Sequence, residues 1–97
     1  MKKKNFSLRP DGWTGNDEWK FNTLWETFPP RCGRKNGKAY AREIYKQISP
    51  GEEMFETMLT AIRVQKVSIA WRKDNGQWIP DLSAWLNQQR WEDEVIL

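Results

Sequence analysis

Apolar residues recur along the chain with the period of a helix in four places. Phe21, Leu24, Trp25 and Phe28 stand at i, i+3, i+4 and i+7, which puts them on one helical face. The helix they mark is expected to begin near Asn16 or Asp17, with Thr14 or Asn16 as its cap. Pro29-Pro30 ends it, because neither residue offers a backbone N–H. After a polar loop over 31–37, a second helix is predicted for Lys38–Ile48. Tyr40, Ile44 and Ile48 share one face of it, with Ala41 and Tyr45 beside them, and Lys38, Arg42 and Lys46 fall opposite.

Ser49-Pro50-Gly51-Glu52 reads as a capping box: Ser49 as the cap, Pro50 in the first turn and Glu52 three residues on. The helix it opens is expected to run unbroken to Trp71 or Arg72. Phe55, Met58, Leu59, Ile62 and Ile69 lie on one side of it, and Val64, Val67 and Trp71 on another, a pattern that belongs at the centre of a domain. Lys73-Asp74-Asn75-Gly76 is turn chemistry. Gln77–Pro80 should be extended, since a residue before proline avoids the α region. A short helix from Asp81 or Leu82 to about Gln89 would carry Leu82, Trp85 and Leu86 on one face. Residues 1–16 hold Pro10, Gly12 and Gly15 without sustained periodicity and read as a basic, irregular arm. The fold class expected is therefore all-α: a small four-helix domain over 17–97 behind an irregular N-terminal arm.

Composition changes this picture in two respects. Leu, Ile, Val and Phe make up only 19 of 97 residues, which borders on a disordered composition, but seven Trp supply enough apolar area for a core. Trp25, Trp71 and Trp85 are assigned to that core, and Trp13, Trp19 and Trp91 to contact with a partner. The chain has no His and one Cys, Cys32, so imidazole catalysis, a thiolate zinc site and an internal disulfide are all excluded. A lone thiol suits a reducing cytoplasm. No apolar run reaches the roughly 18 residues of a membrane span, and Lys2-Lys3-Lys4 has no apolar run behind it to make a signal peptide. The carboxylate pairs Glu52/Glu53 and Glu92/Asp93/Glu94 sit at a helix start and a terminus, where the dipole accounts for the first of them. The expectation is a non-enzyme with no cofactor, no metal, no small-molecule substrate and no membrane partner.

Charge is segregated more than the net value of +3 suggests. Arg31, Arg34, Lys35, Lys38, Arg42 and Lys46 face a single acid, Glu43, between residues 31 and 46. This basic loop and helix face are the expected working surface, able to contact four to six phosphates. Trp13, Trp19, Tyr40 and Tyr45, interleaved with that charge, are of the type that stacks on unpaired bases. The helix pair around Ser49–Gly51 has the connection length of a helix-turn-helix, but its second helix would open with Glu52-Glu53 and present acids to DNA. A protein partner is the other expectation, since Trp and Arg dominate binding hot spots.

Two segments carry a resemblance. Leu24-Trp25-Glu26-Thr27-Phe28-Pro29 with Gly33–Ala39, and above all Trp78-Ile79-Pro80 leading to Trp85-Leu86-Asn87 and Arg90-Trp91-Glu92-Asp93-Glu94, resemble a C-terminal module of phage and prophage DNA replication proteins. The resemblance implies phage origin, a bacterial host cytoplasm and a place in replication initiation or helicase recruitment. In such proteins the module follows a winged-helix DNA-binding domain; 97 residues leave no room for one, so a free-standing module is expected. Its partner would be nucleic acid or a replication protein. The alternative is a small phage inhibitor bound to a host nucleic-acid-processing complex, of anti-CRISPR or anti-replication type, and a plain structural subunit is the third. Functional use of the terminal box would fall on Arg90, Trp91 and the acidic tail Glu92-Asp93-Glu94.

Overall fold

The structure is a computed structural model that describes residues 13–95; the Lys2–Lys4 arm lies outside the described residues. The first helix, α1 (Gly15–Thr27), starts one to two residues earlier than expected. Thr14 caps it in a reciprocal box: its hydroxyl accepts from the Asp17 N–H at 3.1 Å, and the Asp17 carboxylate accepts from the Thr14 N–H at 2.9 Å. Phe28 then turns extended (ψ 128°), as the following Pro29 requires. The second helix, α2 (Lys38–Ile48), has the bounds the pattern predicts.

The link from α2 to α3 (Glu52–Gln65) corrects the expected capping box. Ser49 donates its backbone N–H to Tyr45 O at 2.9 Å and so closes α2 rather than opening α3. Pro50 bars Ser49 from the right-handed α region, and Ser49 leaves the helix left-handed, at φ 50°. Gly51, which has no side chain to cap with, stands at the start of α3.

The expected unbroken helix to Trp71 is also corrected. α3 stops at Gln65, and Ser68 caps a separate single turn, α4 (Ile69–Arg72), accepting from the Trp71 N–H at 3.3 Å. In a continuous helix Trp71 would lie about 240° round from Gln65. The break instead aims Trp71 inward onto Phe28, at 5.3 Å between ring centroids. The apolar residues spared by this turn are not core: Val64, Val67 and Ile69 are exposed. Residues 73–76 form a tight 3-10 turn whose Asp74, Asn75 and Gly76 all have positive φ. Gln77 is helical rather than extended. α5 (Leu82–Asn87) ends two residues before the expected limit, and a 3-10 turn over Arg90–Glu92 follows. The four expected helices are thus five among the described residues, with two 3-10 turns, and the all-α class stands. Among the described residues no helix is long and apolar enough to cross a membrane.

α2 packs chiefly on α5, and α1 on α3. Between them lies one core of Phe21, Leu24, Phe28, Tyr45, Phe55, Met58, Ile62, Leu82, Trp85 and Leu86. Phe28 touches both Trp71 and Trp85, the latter at 5.8 Å. Of the three assigned core tryptophans, Trp71 and Trp85 are buried and Trp25 only half-buried. Of the three assigned to contact, only Trp19 is exposed; Trp13 and Trp91 pack on the core edge. The indole N–H of Trp85 donates to Gln65 Oε1 at 2.7 Å, and Gln65 Nε2 donates to Arg90 O at 2.7 Å. This buried amide joins α3, α5 and the C-terminal turn.

Candidate functional site

The cationic stripe on α2 recurs every four residues, and so points along one flank of the helix. That flank lies over α1, which runs antiparallel beneath it. Lys38 Nζ sits 5.8 Å from the Trp25 ring, the Arg42 guanidinium 5.7 Å from Phe21, and Lys46 Nζ 5.2 Å from Trp13. Arg42 also pairs with Glu18 at 2.8 Å, and Lys46 stands 3.8 Å from Glu43. Glu18 takes the Trp13 indole N–H as well, at 2.9 Å, and so ties the start of α1 to the middle of α2. Arg42 and Lys46 are therefore structural cations, which corrects the expectation that the whole stripe faces outward. Their charged heads sit over the rings of Phe21 and Trp13, and each such cation–ring contact contributes roughly 0.5–1 kcal/mol near the surface.

The other end of the stripe differs. α2 begins at Gly37 with no side-chain cap and no acid in its first turn. Its first residue is Lys38, the reverse of what the helix dipole favours. Lys35 Nζ donates to Trp25 O and lies 5.3 Å from the Trp25 ring. Burial holds its pKa below the ordinary lysine value, Glu26 opposes that shift, and Lys38 and Lys66 add to it. Three cations thus gather here, the partly covered Lys35, Lys38 and Lys66 from the end of α3, and Arg34 precedes Lys35 in the loop.

The 31–37 loop closes on itself. Arg31 and Arg34 exchange backbone hydrogen bonds at 2.8 and 2.9 Å, with Cys32 and Gly33 at positive φ between them. The Arg31 side chain pairs with Asp81 at 3.0 Å and reaches Ile79 O at 3.4 Å. Gly76 lets the 73–76 turn press against the same loop: a Cβ there would meet Ile79 Cδ1 at 3.1 Å, with Cys32 N and Pro30 O just beyond. These contacts set an open cleft of about 610 Å³ between the loop and the segment that carries Gln77 and Trp78. The Arg34 side chain has no ion pair or hydrogen bond among the described residues.

The remaining site candidates lie elsewhere. Trp19 leans on Phe55 in the first turn of α3 (6.2 Å), roughly 16 Å along that helix from Lys66. Arg90 pairs with Asp93 at 2.9 Å, and Trp91 packs at a tilt against Trp85, 5.7 Å between ring centroids, so the terminal box closes the fold. Sequence reasoning missed Trp78, which is 55% exposed at the mouth of the cleft. The only signal for it was position: it follows a turn and precedes the Ile79-Pro80 pair. Comparison of the chain with protein-family models, curated proteins and solved structures returns no match.

Proposed function

We propose that this chain is a non-enzymatic binding module associated with phage DNA replication initiation or helicase recruitment, and that it acts by holding nucleic acid. Its contact surface is the loop end of α2, with Arg34 and Lys38 at the front and Arg31, Lys35 and Lys66 around them. The observation that carries this reading is the division of labour along the basic stripe. Arg42 and Lys46 stand beside the carboxylates of Glu18 and Glu43, whereas Arg34 and Lys38 have no carboxylate partner among the described residues and remain exposed beside an uncapped helix start, Lys38 with its ammonium near the Trp25 ring. Cations crowded at a helix N-terminus repel the dipole and one another, and a phosphate backbone relieves both. The resemblance of residues 78–94 to phage replication modules supplies the biological setting.

The test is binding of fluorescein-labelled DNA measured by anisotropy against salt. With about four phosphates neutralised, affinity for a single strand should fall about 50-fold between roughly 50 and 200 mM salt. Arg34→Glu combined with Lys38→Glu should abolish binding and leave the helical CD spectrum intact. Absence of binding to any DNA at about 50 mM salt refutes the proposal and transfers this surface to a protein partner.

A further inference from the structure

Trp78 combines two properties that rarely occur together: it is exposed and it is held. Its indole N–H donates to Asp74 Oδ2 at 2.7 Å, and Asp74 is itself locked in the left-handed turn 73–76. One ring edge is therefore fixed while more than half of the residue stays exposed beside the cleft. Trp13, Trp25, Trp71, Trp85 and Trp91 all pack on other side chains, and exposed Trp19 still leans on Phe55. Trp78 has no aromatic or cationic partner for its ring among the described residues.

Its surroundings complete a site. The cleft beside it is lined by Arg31, Cys32, Arg34, Asn36 and Gln77, with no carboxylate among them. Two carboxylates contact the lining residues from outside it, Asp74 holding the Trp78 indole and Asp81 pairing with Arg31. An open aromatic face, a free guanidinium and two side-chain amides match the chemistry of one unpaired nucleotide: base face, phosphate and base edge. A duplex offers no such face, because its bases are stacked on one another.

We infer that Trp78 is a stacking platform for an unpaired base, with Arg34 on the adjoining phosphate, so that the module binds single strands in preference to duplex. This rests on the nucleic-acid reading above and deepens it. The probes are fluorescein-labelled dT15 and a 15-bp duplex. The parent should prefer dT15, and Trp78→Ala should weaken dT15 binding by about 5- to 150-fold and erase the preference. As a second readout, dT15 should quench the tryptophan emission of the parent more than that of Trp78→Phe. Parental dT15 affinity in Trp78→Ala, or equal quenching in Trp78→Phe, overturns the stacking role while the cationic surface stands. Failure to bind either probe overturns the nucleic-acid reading as well.

Discussion

Tyr45→Phe should stabilise this protein, although Tyr45 is one of its most buried residues. The ring is 1% exposed and packs edge-on against Trp13 (5.8 Å) and Phe21 (5.6 Å), contacts that phenylalanine keeps. The hydroxyl is buried without a hydrogen-bond partner among the described residues. Burying an unpaired hydroxyl costs about 1–3 kcal/mol, so its removal should raise stability by about 1 kcal/mol. For a domain of this size that corresponds to about 4–8 °C in Tm. A pH signature accompanies the gain. Burial, then the charges of Asp17 and Glu52, push the phenol far above its ordinary value of 10.0. Above pH 10 the unfolded chain loses this proton and the folded chain keeps it. The native state then binds more protons, and stability falls as pH rises, by roughly 1 kcal/mol from this group at pH 11. Urea denaturation followed by far-UV CD at pH 7.5 and pH 11 measures both effects. The advantage of Tyr45→Phe should widen from about 1 to about 2 kcal/mol. A variant less stable than the parent at pH 7.5, or an advantage that does not grow with pH, refutes the reasoning.

Two further substitutions test how the chain is joined. Ser49→Gly should raise stability by about 0.5–1 kcal/mol, because glycine adopts the left-handed exit from α2 without a Cβ penalty. A capping role for Ser49 predicts a loss instead, so the sign of the change in urea midpoint decides. Gln65→Leu and Trp85→Phe should each cost about 1–3 kcal/mol by leaving the other partner's buried group unpaired. Together they should cost at least about 1 kcal/mol less than the sum, and strict additivity in the double-mutant cycle would show that the Trp85–Gln65 bond carries no energy.

Much of the fold is legible in local signals because those signals act over a turn or two. Pro29-Pro30 stops α1 by withholding N–H groups, and the alternation of apolar residues over 38–48 marks α2 to the residue. The joints were misread where two local rules competed. Ser49 satisfies the pattern of a cap, yet α2 reaches it first and takes its N–H. Val64 and Val67 continue an apolar pattern, yet the helix breaks after Gln65, between the two valines, and Trp71 is seated against Phe28 from a separate turn.

What the sequence determined alone is the class of elements, the aromatic composition of the core and the concentration of positive charge over residues 31–46. Only the tertiary structure decided which of those charges are free. A helical wheel puts Lys38, Arg42 and Lys46 opposite the core, but α1 and the Trp13 just before it lie against that flank and offer an aromatic ring to each cation, and a carboxylate to Arg42. The cleft at Trp78 joins residues more than 40 positions apart through the Arg31–Asp81 pair and the close approach of Gly76. Neighbours along the chain constrain backbone angles, whereas exposure depends on what packs above a side chain, and that partner comes from a distant part of the chain.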